Sequence, residues 1–212
     1  MGDPIRYINI YINIIRGGAM NIDKAIRKQR RSYKIFMLTM SFIFLILPTA
    51  LFATELRKNL FLVSYMVIIE LLVAMSMFIR ANQERLEFEY GNNKLKISVG
   101  LIRKNYVIFC DKVALVHTED KEDDFSIIIV TTLKFRNKKI RLIGKEFLKR
   151  YPYVGNEYLK LKRKEPEKHF YYIVIKKGGL KKYILLDTIY KSSVKAVFTD
   201  EAIENIKKAR AV

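Results

Sequence analysis

One carboxylate, Glu70, stands in the middle of a twenty-residue apolar run, Leu60–Ile79 (LFLVSYMVIIELLVAMSMFI). If that run lies in a bilayer, an ionisable side chain at its centre costs about 2.5–3.5 kcal/mol and marks a functional position by default. Two chemistries fit it. A carboxyl that gains and loses a proton suits a proton- or ion-coupled role. A carboxyl held protonated suits a structural hydrogen bond. The preceding run, Ile35–Ala53 (IFMLTMSFIFLILPTALFA), offers an acceptor for the second, because Pro48 has no N–H and strips the Phe44 carbonyl of its helical donor. Phe44 and Glu70 each lie nine residues from the basic end of their run, hence at one depth. A protonated Glu70 donating to Phe44 O would pin the two runs together, and contact with a partner protein would serve equally.

Other chemistry-bearing residues are sparse. His117 and His169 are the only histidines, and neither has a cysteine or carboxylate at metal-ligand spacing. Cys110, the only cysteine, reads as a small packing residue or, less simply, a nucleophile. Glu119–Asp124 (EDKEDD) reads as a solvated loop; its carboxylates lack the spacing of a calcium loop. No phosphate loop, nucleophile elbow or HExxH occurs, so the sequence predicts no catalytic residue, no metal and no cofactor.

Basic residues are the abundant resource. The chain has 40 Lys+Arg against 21 Asp+Glu, a net charge of +19. Residues 134–150 hold eight Lys/Arg and one Glu, among them Lys138, Lys139 and Arg141. Lys34, Arg80 and Arg85 flank the apolar runs, and Lys176, Lys177, Lys181 and Lys182 surround Gly178-Gly179. Juxtamembrane cations are each worth about 1 kcal/mol at an anionic leaflet, so these ten form a candidate surface for lipid headgroups or a partner. The competing reading is a solubilising surface. Nucleic acid fits poorly, since no reading helix or aromatic platform accompanies the charge.

The elements that must position these groups follow from hydropathy. Mean hydropathy near zero hides two populations, because the apolar residues concentrate in 35–79 and the rest is lysine-rich. Two runs of about 20 residues suffice for a hydrocarbon core of roughly 30 Å, and neither has a polar face. The six-residue connection Thr54–Asn59 (TELRKN) makes them an antiparallel hairpin. Lys24, Arg27, Lys28, Arg30, Arg31 and Lys34 precede the first run, whereas the connection has only Arg57 and Lys58. The positive-inside rule then places both termini in the cytoplasm. Heavy use of Ile, Lys, Asn and Tyr points to an AT-rich bacterial genome, hence to the inner membrane. Arg16-Gly17-Gly18-Ala19-Met20 reads as a translated ribosome-binding sequence, which predicts a natural start at Met20. The chain thus divides into a basic segment 1–34, a hairpin 35–79 and a basic domain 80–212.

Within the domain, Leu86–Tyr90 and Lys94–Val99 alternate apolar and polar around Gly91-Asn92-Asn93, as a half-buried hairpin should. Strands are predicted at Tyr106–Phe109 and Val113–His117, in a hairpin of Ser126–Phe135 with Lys139–Ile143, and in a second of Tyr171–Ile175 with Tyr183–Leu186 around Gly178-Gly179. Residues 144–168 read as helical or irregular. Thr199 suits a helix N-cap, followed by acidic and then basic residues along TDEAIENIKKAR with Ile203 and Ile206 as its apolar stripe. Residues 86–119 (LEFEYGNNKLKISVGLIRKNYVIFCDKVALVHTE) resemble the opening of a bacterial family in which two membrane helices precede a pleckstrin-homology (PH)-like domain. The resemblance implies a mostly β barrel closed by a C-terminal helix, and a binding or assembly module. Expected, then, is a membrane scaffold whose domain docks anionic lipid, another protein or further copies of itself. An accessory subunit of a membrane transporter is the alternative.

Overall fold

The structure is a computed structural model that describes residues 22–53, 59–102, 104–121, 124–135 and 140–210. The suggested start at Met20, most of the 54–59 connection, Lys138 and Lys139 lie outside the described residues. Two long helices come first, α1 (Ile22–Ala53) and α2 (Leu60–Glu84), packed against each other. Asn59 caps α2 by accepting from Phe61 N–H at 3.1 Å. Both helices are long and apolar enough to cross a membrane, and among the described residues no residue of either apolar stretch is buried. Leu38 is 72 % exposed and Phe61 75 %. Helix α1 also starts well before its apolar part. Ile22–Lys34 extends it by about 20 Å at 1.5 Å per residue; Ile22 is buried, and the helix contacts the last helix of the domain.

The domain follows as β1 (Leu86–Gly91), β2 (Lys94–Val99), β3 (Lys104–Phe109), β4 (Val113–Lys121), β5 (Asp124–Thr131), β6 (Arg141–Leu142), α3 (Lys145–Arg150), α4 (Pro152–Lys164), β7 (Tyr171–Ile175), α5 (Lys181–Ser192), β8 (Val197–Phe198) and α6 (Asp200–Arg210). Strands β1–β3 form an antiparallel meander. The expected first hairpin is present, with Asn92 and Asn93 both at positive φ in a two-residue turn and Leu86 opposite Val99. The other strands form a second sheet, ordered β6-β7-β5-β4-β8, in which only β8 runs parallel to its neighbour.

The sheets do not close into a barrel. Strand β5 explains why, because it is buried on both faces. Ile127 and Ile129 join a core with Leu95, Ile97, Leu185 and Ile206, from β2, α5 and α6. Ile128 and Val130 join a second core with Phe147, Val154 and Phe170, from α3, α4 and the approach to β7. A strand covered on both sides belongs to a layered sheet, not to the wall of a small barrel.

Three local expectations are corrected. Ser126–Phe135 and Lys139–Ile143 do not form a hairpin, because β7 lies between β5 and β6. Tyr183–Leu186 is not a strand; the Gly178-Gly179 turn leads into α5, whose Leu185, Leu186 and Ile189 are buried at helical spacing. The acidic stretch is not an open loop, since β4 runs on through Glu119–Lys121 and β5 restarts at Asp124. The last helix forms as predicted. Thr199 Oγ1 accepts from Ala202 N–H at 3.4 Å, and Ala202, Asn205 and Ile206 face inward. An ion pair of Arg210 with Asp187 at 2.6 Å ties α6 to α5.

Candidate functional site

A helix end leaves its last carbonyls without intrahelical donors. At the end of α2 the domain supplies them. Gly178 N–H donates to Gln83 O at 2.8 Å and Gly100 N–H to Arg85 O at 2.8 Å. Leu101 N–H donates to Asn82 Oδ1 at 3.1 Å. Both glycines have positive φ, and a Cβ on either would fall 2.5 Å from a neighbour: Leu86 Cδ2 for Gly178, Asn82 Oδ1 for Gly100. Only glycine reaches the helix this closely. Gln29 of α1 completes the clamp with both ends of its amide. Its Nε2 donates to Glu84 Oε2, and its Oε1 accepts from Leu180 N–H at 3.0 Å. The hairpin and the domain are therefore joined by side-chain and backbone bonds from α1, α2 and two domain loops.

The predicted basic residues divide around this junction. Lys34 and Lys176 are exposed, and Lys177 is half-buried beside Gly100. Arg80 is paired with Glu84 at 3.2 Å and Arg85 with Glu87 at 3.3 Å, so both are partly neutralised locally. Lys181 reaches Leu86 O at 3.5 Å. Arg141 is exposed, but on the edge strand β6. Lys182 is corrected outright: it is 0 % exposed and cannot face lipid or a partner. Helix α5 turns it inward, where its ammonium pairs with Asp124 at 2.5 Å, donates to the carbonyls of Phe125 and Lys176, and sits over the Phe125 ring. Burial lowers its proton affinity, against the opposing pull of Asp124.

Glu70, half-buried on α2, has both carboxyl oxygens buried and without a hydrogen-bond partner among the described residues. The bond to Phe44 O is not made. Equal depth fixes only the height of two residues on facing helices, not the side each presents. Pro48 is accommodated inside α1, which continues to Ala53.

A pocket that the sequence did not reveal opens between β4, α4 and the start of α6, with a volume of about 280 Å³. His117 forms its floor. Its Nδ1 lies 2.9 Å from Thr199 Oγ1 and 3.7 Å from Glu201 Oε2, and Tyr153 stacks on the ring at 5.4 Å. Thr199 Oγ1 already accepts from Ala202 N–H, so its proton is available to Nδ1, which suits a neutral imidazole. Burial holds His117 below the ordinary histidine range, while Glu201, Glu119 and Asp120 pull the other way. Sequence spacing gave no signal, because Thr199 and Glu201 lie more than eighty residues from His117. Cys110 is a buried core residue and His169 is exposed. Among the described residues, no group of three or more His, Cys, Asp and Glu side chains is placed to hold a metal ion.

No family model, curated protein or solved structure matches this chain.

Proposed function

We propose that the chain is a noncatalytic binding protein anchored in a bacterial inner membrane. In this reading the hairpin crosses the bilayer with both termini in the cytoplasm. The domain is held against the headgroups to dock a partner protein or anionic lipid, and to assemble with further copies. The observation that carries it is the combination of an apolar hairpin left exposed among the described residues with a clamp that fixes a basic domain at the hairpin's end. The resemblance of residues 86–119 to the opening of two-helix proteins with a PH-like domain supports a binding role, and the β1–β3 meander and the terminal helix α6 are elements that such a domain calls for. The test is flotation of the chain with alkaline-washed vesicles, then native mass spectrometry of the detergent extract. Homo-oligomers carrying anionic lipid support the reading; release from the vesicles at alkaline pH would refute it.

A second reading, an accessory subunit of a membrane transporter, rests on Glu70. A carboxyl buried without a partner is a liability to the isolated hairpin and is retained to best purpose where another protein uses it. Glu70→Leu should then raise the thermal stability of the extracted chain while abolishing co-purification of a larger membrane protein. Equal recovery of that protein with both forms would exclude this reading.

A further inference from the structure

The turn between β2 and β3 is tied to the end of α2, and it carries an apolar side chain left exposed among the described residues. Ile102 is 74 % exposed, the largest exposure of an isoleucine among the described residues. Its neighbours Gly100 and Leu101 are bonded to Arg85 O and Asn82 Oδ1, so its height is set by α2. Asn82 is three residues beyond Ile79, about 4.5 Å along the helix. The headgroup layer on each side of a bilayer is roughly 5–7 Å thick. Lys104, which follows the turn, is exposed, and the Lys177 ammonium lies 3.5 Å from where a Cβ on Gly100 would be. An apolar tip flanked by cations at this depth has the chemistry of an interfacial anchor: the aliphatic side chain enters the acyl boundary and the cations meet anionic headgroups.

We infer that the Gly100–Ile102 turn is a membrane-interface wedge that seats Ile102 at the headgroup–acyl boundary of an anionic leaflet. The proposal rests on the membrane reading above and adds a second, peripheral point of attachment, which together with the hairpin fixes the domain's attitude on the surface.

The chain has no tryptophan, so single-tryptophan variants report one position each. Three are compared in the full chain, reconstituted in vesicles of equal parts phosphatidylcholine and phosphatidylglycerol. The phosphatidylcholine is brominated either near the top of the acyl chain or near its end. Leu71→Trp reports the middle of the second span, Ile102→Trp the wedge, and Tyr90→Trp the opposite end of the β1–β3 sheet. The expected result is blue-shifted Ile102→Trp emission with about half its intensity lost to the upper bromines, deep quenching of Leu71→Trp, and no quenching of Tyr90→Trp. Quenched Leu71→Trp with Ile102→Trp behaving like Tyr90→Trp overturns the wedge and leaves the hairpin in the membrane. Equal upper-chain quenching at Ile102→Trp and Tyr90→Trp overturns it too, in favour of a sheet lying flat on the surface. Unquenched Leu71→Trp overturns the membrane reading itself.

Discussion

His117 and Lys182 both hold proton affinities below their ordinary values, but their partners differ and so do their consequences. Burial lowers the His117 value first, and the nearby carboxylates only moderate it. The unfolded chain therefore takes up a proton that the folded chain refuses. The stability tied to His117 is fully present above its unfolded pKa of about 6.5 and is lost as pH falls through the lower folded value. Thermal unfolding measured from about pH 7.5 down to about pH 5 should show a falling Tm that His117→Gln flattens. Glu201→Gln removes the carboxylate that supports the charged form most, so it should deepen that fall; an unchanged profile in both variants would rule out this account. Lys182 is the opposite case, a buried cation with a built-in counter-charge. Asp124→Asn leaves the ammonium buried without its anion and should cost about 3 kcal/mol. Lys182→Met removes the charge and keeps the volume, and should be close to neutral. Chemical denaturation of the detergent-extracted chain distinguishes the two, and equal losses would mean that the pair acts through packing alone.

At the scale of elements, the clamp depends on glycine where a domain loop meets α2. Gly178→Ala forces a Cβ into Leu86 at positive φ and should destabilise the junction by about 1–3 kcal/mol. Hydrogen exchange would read this as faster exchange at residue 178, the amide that caps Gln83 O, with β5 unaffected. Legibility follows the reach of the interactions. The two long apolar helices, the Asn92-Asn93 hairpin and the Thr199-capped helix were readable because hydropathy, turn chemistry and capping are local. The layered sheet was legible in part: Ser126–Thr131 (SIIIVT) is a continuous apolar run, which signals burial on both faces, whereas a barrel wall alternates. Tyr183–Leu186 was misread because a four-residue apolar segment fits either period, and only the spacing out to Ile189 marks a helix. Gln29, Asn82 and the His117 pocket left no trace in the sequence. Their partners are distant in the chain, and a single glutamine in a basic helix looks like any solvated residue.

For the whole molecule, the distribution of cations predicts a topology. In inverted membrane vesicles, with the cytoplasmic face outward, added protease should degrade residues 80–212 and leave a protected fragment spanning the hairpin. In right-side-out vesicles the same protease should leave the chain intact. Reversed protection would place the domain outside. The clamp has a further mechanical meaning. Because the end of α2 has domain amides as its cap, and α1 runs on past its apolar stretch to meet α6, hairpin and domain are joined at more than one point. A hairpin answers a thinner bilayer by tilting, and this domain must swing with it through the same angle. In the proposed membrane setting, the protein would thus convert a property of the lipid, its thickness, into the orientation of a surface presented to the cytoplasm.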